Sequence, residues 1–144
     1  MKKTIQLAFI GLLLGFQSIA FAENSQPIGN YLVHYNALST ETLPPAVARA
    51  YGITRSKNKG LLNISVLKKG EGFQGAEAEI KVSATNLTGQ LRDIDLRKIL
   101  EQDAVYYIGE FSVSDRETLD LSINVKTADK QSGTIKLRQQ FFTN

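Results

Sequence analysis

Between Ala76 and Thr85 the chain alternates without a break, with Ala76, Ala78, Ile80, Val82 and Ala84 set against Glu77, Glu79, Lys81, Ser83 and Thr85. Successive side chains of a strand point to opposite faces, so this run buries its apolar set only as a strand with one dry side and one wet side. A helix would scatter the same residues around its axis. The run therefore commits part of the chain to an antiparallel sheet that faces a core on one side and water on the other.

The rest is organised around Asn30 to Leu67. From Ile28 to Asn36 the residues again alternate, Tyr31, Val33 and Tyr35 against Leu32, His34 and Asn36, which predicts a strand with an aromatic inner face. Thr42 offers a capping hydroxyl, Pro44 and Pro45 suit a first helical turn that needs no N–H donor, and Gly52 can end a two-turn helix left-handed. Ile53 then folds back. Arg55 to Gly60 is a polar turn, and Leu62, Ile64 and Val66 alternate through a second strand before the glycine-rich connection Lys68 to Gly75. Past the turn Asn86 to Gly89, the segment Gln90 to Gln102 fits a short strand with Ile94 and Leu96 inward. It also fits an amphipathic helix on Leu91, Ile94 and Lys98. A strand to about Leu96 followed by a loop is preferred. Ala104 to Val113, then Leu119 to Val125, then Ile135 to Phe141 complete the strands, joined by the turns Ser114 to Glu117 and Ala128 to Gly133.

About seven strands with hairpin turns and one short helix between the first two predict an all-β, antiparallel two-sheet sandwich, immunoglobulin-like in broad architecture. A small membrane barrel is the alternative, disfavoured by the Pro-started helix and by a strand count short of eight. The run Glu101 to Ile108 resembles the corner before strand F of antibody variable domains, with Tyr106 in the place of the corner tyrosine and Ile108 in that of the cysteine. A tyrosine-rich strand with no such kinship explains the run equally well.

Composition narrows the function classes. Lys2 and Lys3 precede an apolar run from Ile5 to Phe16 and the small-residue pattern Ala20-Phe21-Ala22, which predicts a cleaved secretory signal over 1–22 and a single domain over 23–144. Gln6, Gln17 and Ser18 interrupt the run and no basic stop-transfer cluster follows, so no integral membrane segment is expected after cleavage. Removing Lys2 and Lys3 leaves 15 basic residues against 14 acidic ones, a balance that disfavours nucleic acid as a partner. With no cysteine there is no disulfide, no thiol nucleophile and no lipidated cleavage site.

The combination NYLVHYNALST, AYGITRSKNKGLLNISVLK, YYIGEFSVSDRETL and the terminal QQFF resembles a domain-of-unknown-function family, number four-four-two-six, of small exported Gram-negative proteins. The likeness covers nearly the whole mature chain. It implies an exported all-β protein with no established activity, and hence no functional residues to carry over.

The remaining motifs are weighed against plainer readings. Gly70 to Gly75 matches GxGxxG but is followed by a strand rather than a helix, so it reads as a hairpin loop. Asn63-Ile64-Ser65 and Asn86-Leu87-Thr88 match the glycosylation pattern, the first inside a strand. His34 is the only histidine and Met1 the only methionine, so no metal site and no cofactor is expected, and a mid-strand histidine reads as structural. Asp93, Asp95, Glu101 and Asp103 fit no calcium loop and are interleaved with Arg92, Arg97 and Lys98, which reads as a charge-balanced edge. Arg55, Lys57 and Lys59, joined by Lys68 and Lys69, could make a cationic patch, though charged turns are usually only solvated.

The sequence does not name an activity. It supports a non-enzymatic periplasmic interaction domain for an envelope protein or peptide, using Tyr31, His34, Tyr35, Asn36, Arg55, Lys57 and Asn58, or strand addition at an open sheet edge. A small ligand carrier or enzyme built on Tyr, Arg and carboxylate groups is the alternative, and a deep pocket would favour it.

Overall fold

The computed structural model describes residues 24–144; the signal segment expected over 1–22 and its expected cleavage point lie outside them. Among the described residues, ten strands form two antiparallel sheets. The first sheet holds β1 (Asn24–Ile28), β2 (Tyr31–Ser39), β3 (Lys59–Gly70), β4 (Gly72–Gly75), β7 (Arg97–Glu101) and β8 (Ala104–Ser112) in the order β1-β2-β3-β8-β7, with β4 paired to the far end of β3. The second holds β5 (Ala78–Asn86), β6 (Leu91–Ile94), β9 (Thr118–Thr127) and β10 (Ser132–Gln140) in the order β10-β9-β5-β6. Both sheets keep open edges, so the architecture is a sandwich and not a closed barrel. Strands β2-β3-β8-β7 occupy the places of A-B-E-D in the immunoglobulin fold, and β10-β9-β5-β6 those of G-F-C-C′.

That topology corrects several expectations. The strand expected from Ile28 is a hairpin, turning at Gly29 (φ +56°), which adds β1 outside β2. The connection Lys68 to Gly75 is also hairpin ladder, with Lys69 opposite Phe73. The loop expected after Leu96 is β7, which crosses to the first sheet and pairs with β8, Ile99 opposite Tyr106. The Glu101 to Ile108 echo falls on β8, the strand-E position, so Tyr106 is no F-strand corner tyrosine. The predicted alternation of Ala76 to Thr85 is realised in β5, whose Val82 and Ala84 are buried while Glu79 and Lys81 are exposed.

Between the sheets lies the main core, in which Val33, Leu62, Ile64 and Val66 of the first sheet meet Leu119, Leu121, Ile123 and Ile135 of the second. A second cluster sits on the outer face of the first sheet. There helix α1 (Pro45–Ala50) buries Val47 and Ala48 against Leu61 and Ile108, with Leu43, Tyr51 and Ile53 around them. Burying such side chains removes apolar surface from water at about 25 cal/mol per Å², which is what holds so short a helix in place. Pro45 opens the helix as expected, but Thr42 is not its cap: Ser39 accepts the Glu41 N–H of a preceding 3-10 turn, Thr40–Thr42.

The helix ends where Gly52 turns left-handed (φ +63°). The Ile53 N–H bonds the Ala48 carbonyl (2.8 Å) and the Gly52 N–H the Arg49 carbonyl (3.3 Å), a Schellman closure with Ile53 folded back onto the cluster. The whole excursion is clasped at its base. The buried Thr40 hydroxyl donates to the Ser56 carbonyl (3.1 Å) and accepts from the Ser56 N–H (2.9 Å).

Candidate functional site

Directly opposed residues of an antiparallel ladder share a face, so the registers place side chains in rows across the outer face of the first sheet. One row runs His34, Ser65, Tyr106 and Ile99; the next runs Asn36, Asn63, Ile108 and Arg97. Both rows lie beside α1. Asn36 is exposed, His34, Asn63 and Ser65 are half-buried, and Tyr106 is buried. The face thus passes from a dry patch under the helix to a polar strip outside it.

At the boundary, Tyr51, Leu61, Asn63, Ile99, Tyr106 and Ile108 wall a slot of about 10 Å³. Two polar atoms there, Tyr51 Oη and Asn63 Oδ1, are buried and have no hydrogen-bond partner among the described residues. Burial pushes the Tyr51 hydroxyl well above the ordinary tyrosine range, and the neighbouring Glu101 carboxylate adds to the rise although it completes no hydrogen bond of normal geometry. Tyr106 is raised for the same two reasons in the same order. Both shifts favour the protonated phenol near neutral pH. The Arg97 guanidinium donates to the Tyr51 carbonyl, one of the orphan acceptors at the helix end.

The residues singled out in the sequence do not form one surface. Tyr31 and Tyr35 point inward; Tyr31 is buried, with the Lys68 ammonium 5.9 Å from its ring centre. His34 and Asn36 point outward, into the strip. Arg55, Lys57 and Asn58 are exposed in the loop after the helix, where Arg55 donates to the Glu41 carbonyl (3.0 Å) and the Asn58 carbonyl accepts from the Val113 N–H (2.9 Å). Lys59 and Lys68 lie nine residues apart on β3, about 30 Å at strand spacing, so the five cations make no single patch.

The acidic run is not neutralised as its spacing suggested. Arg92 pairs instead with Glu117 (2.9 Å) and Lys98 with Glu77. No group of three or more His, Cys, Asp or Glu side chains able to hold a metal ion occurs among the described residues.

Tyr51, Asn63, Ser65 and Tyr106 were not expected from the sequence as binding residues, although Tyr106 stood out in the antibody-like run and Asn63 and Ser65 in a glycosylation pattern. Asn63 and Ser65 do leave a signal, as the polar interruptions of the apolar run Leu61 to Leu67, both on one side of the strand.

The outer face of the second sheet differs. Thr134 donates to Asn124 (2.8 Å), Lys136 to Ser122 (2.9 Å), and Arg138 binds both oxygens of Asp120 (2.7 and 2.9 Å). A larger hollow on this face, about 370 Å³, is an open trough over Lys81, Asn124, Lys126 and Thr134. Within it Thr134 bonds Asn124 across the strands and Lys81 lies 3.8 Å from Glu79 along its own strand, in the open; the candidate site is placed at the strip and slot, where polar atoms are buried.

The family model described as a domain of unknown function, DUF4426, matches residues 25–144. The crystal structure of a DUF4426 family protein from Pseudomonas aeruginosa PAO1 is similar with a TM-score of 0.71 and 34% identity, over 85% of this chain and 96% of that one. A copper-bound variant of FetP from uropathogenic Escherichia coli strain F11 is similar in fold, with a TM-score of 0.51 and 12% identity over 83% of this chain and 89% of that one. No curated protein matches the chain.

Proposed function

The chain belongs to the DUF4426 family, and on that footing we propose that it is an exported, non-enzymatic interaction domain of the periplasm that engages an envelope protein or peptide through the polar strip beside α1. The observation that carries the reading is the contrast on the outer faces. Around the strip, the exposed Asn36 lies opposite the half-buried Asn63 on a face the helix leaves open, whereas several polar side chains of the other sheet are tied to one another. Side chains in rows at strand spacing suit an extended peptide, whose own alternate side chains repeat at the same interval.

A contact role agrees with the shape. The slot has room for about one water molecule, far from the several hundred Å³ of a ligand pocket. The alternative, a ligand carrier or enzyme on Tyr, Arg and carboxylate groups, draws on the meeting of Tyr51, Arg97 and Glu101 at that slot. It would need the slot to open widely and a phenol with a lowered rather than a raised pKa. Export rests on Lys2, Lys3, the apolar run and Ala20-Phe21-Ala22.

The test is affinity capture from envelope extract, comparing the wild type with His34→Ala and Asn36→Ala on the strip and with Lys136→Ala on the opposite face. A partner held by the wild type and by Lys136→Ala but lost with the strip variants supports the reading. Loss with Lys136→Ala alone moves the site to the other sheet. Fractionation with N-terminal sequencing checks export, the expected first residue being Glu23.

A further inference from the structure

We propose that the free edge of β10, from Lys136 to Gln140, is a strand-addition site for an extended partner segment in which acidic and apolar side chains alternate. The inference is separate from the strip beside α1 and holds whether or not that strip meets a partner.

The ladder shows which main-chain groups are free. At its two ends the Thr127 N–H donates to the Gln131 carbonyl (2.8 Å) and the Phe141 N–H to the Glu117 carbonyl (2.9 Å). In an antiparallel pair, residues that exchange such bonds alternate with residues that turn away. The odd-numbered residues of β10 therefore face β9, and Ser132, Thr134, Lys136, Arg138 and Gln140 turn their N–H and C=O groups outward, at the end of the strand order.

Part of that row is covered. The Gln26 amide reaches the Thr134 carbonyl (3.5 Å), and a Cβ on Gly133 would come within 3.1 Å of Ile28, so β1 closes over the start of the strand. The Gln139 amide donates to the Gln140 carbonyl (3.2 Å). Between these points nothing among the described residues bonds the outward main-chain groups of Lys136 and Arg138. The other edges are poorer templates, since β1 carries Pro27, which has no donor, and β6 and β7 are only four and five residues long.

The side chains define the partner. Lys136 and Arg138 are exposed on the outer face, and Leu137 packs against the main core while only half-buried. Directly opposed residues share a face, so an added strand sets one alternate set of side chains against two cations and the other against the rim of the core. Lys136 uses one ammonium proton on Ser122, and Arg138 uses Nε and Nη2 on Asp120, which leaves donors on both for carboxylates across the new pair.

Charges on an edge strand ordinarily keep other strands away. These two have one sign, so they discriminate. Antiparallel self-pairing centred on Leu137 would set Lys136 of one copy opposite Arg138 of the next, which disfavours a second copy, whereas an acidic strand is attracted at the same positions.

The probe is a short peptide of alternating glutamate and valine added to the mature protein, with amide hydrogen exchange as the readout and the alternating lysine–valine peptide as control. The acidic peptide is expected to slow exchange at Lys136 and Arg138, and the control to bind about tenfold more weakly. Methylating the glutamate nitrogens, which point at β10 in this pairing, should abolish the protection; methylating the valine nitrogens, which point away, should leave it. Lys136→Glu combined with Arg138→Glu should reverse the preference between the two peptides. Protection confined to β2 and β3 would put the peptide on the strip and overturn the inference, as would no protection, equal binding of the two peptides, or equal effects of the two methylation patterns. Lys136 and Arg138 amides protected before any peptide is added give the edge to a second copy or to residues outside the described ones, and overturn it too. Because the peptide series leaves the protein unchanged, a variant that fails to fold leaves the test intact.

Discussion

The two outer faces of this sandwich are built from similar strands and use their polar residues in different ways. On the second sheet, pairs such as Thr134 with Asn124 and Arg138 with Asp120 bond one another in the open. On the first, helix α1 roofs part of the sheet, and two polar atoms at its margin, Tyr51 Oη and Asn63 Oδ1, are buried without a hydrogen bond of normal geometry among the described residues. A polar ladder in water needs little arrangement because solvent completes whatever the protein does not. Once a roof is added, every polar atom at its margin that goes unmatched costs stability.

If the roofed face is a true second core, its largest fully buried side chain should matter most. Leu61→Ala, at a site 2% exposed, is expected to cost about 2–5 kcal/mol in denaturant unfolding. Ser83→Ala on the wet face of β5 should change stability by less than about 0.5 kcal/mol. Equal effects would break the comparison. The helix end comes next. A Cβ on Gly52 would meet nothing nearer than the Arg97 guanidinium at 4.0 Å, so Gly52→Ala should cost only the left-handed backbone penalty, about 1–2 kcal/mol.

A third perturbation should strike both faces alike. Arg92 of β6 bonds Glu117 and the Ser112 carbonyl, joining the two sheets. Burial by itself would raise the Glu117 carboxyl. Hydrogen bonds from Asn86 and the Ser114 N–H, together with the Arg92 charge, outweigh it and hold the group below the usual carboxylate range. With a folded pKa below the unfolded one, Glu117 contributes stability that is present above about pH 4 and lost as the pH falls through the lowered value. Glu117→Gln is therefore expected to flatten the acid end of a stability profile, with hydrogen exchange rising equally in β3 and β9. The smallest effect belongs to the exposed pair of the wet face. Arg138→Ala should leave the melting temperature unchanged, and a clear loss there would show that this ladder is more than solvated decoration.

The same contrast decides what could be read in the sequence. β5, dry on one face, shows its period of two in plain letters, and the sandwich follows from strands like it. β3 and β8 lie between two cores, so Leu61-Leu62 and the buried run Val105 to Ile108 lose the alternation and conceal which side meets the helix. Pro45 and Gly52 marked the helix ends because their constraints are local. The strand β7 escaped because Arg97, Lys98 and Glu101 are edge residues, whose side chains answer to solvent rather than to a core. The strip was half visible: His34 and Asn36 drew notice as rare or polar residues, while Tyr51, seventeen residues beyond His34 in register-free loop and helix, is brought to Asn63 only by the folding back of Ile53.

The clasp between Thr40 and Ser56 carries a last consequence, for redesign. Since the chain leaves the sheet and returns to it at one point, the stretch from Glu41 to Arg55 behaves as a cassette whose length is decoupled from strand register. Doubling such a loop costs only about 0.6 kcal/mol in closure entropy. A longer or foreign segment could be grafted between the two clasp residues, provided it brings its own apolar cover for Leu61 and Ile108.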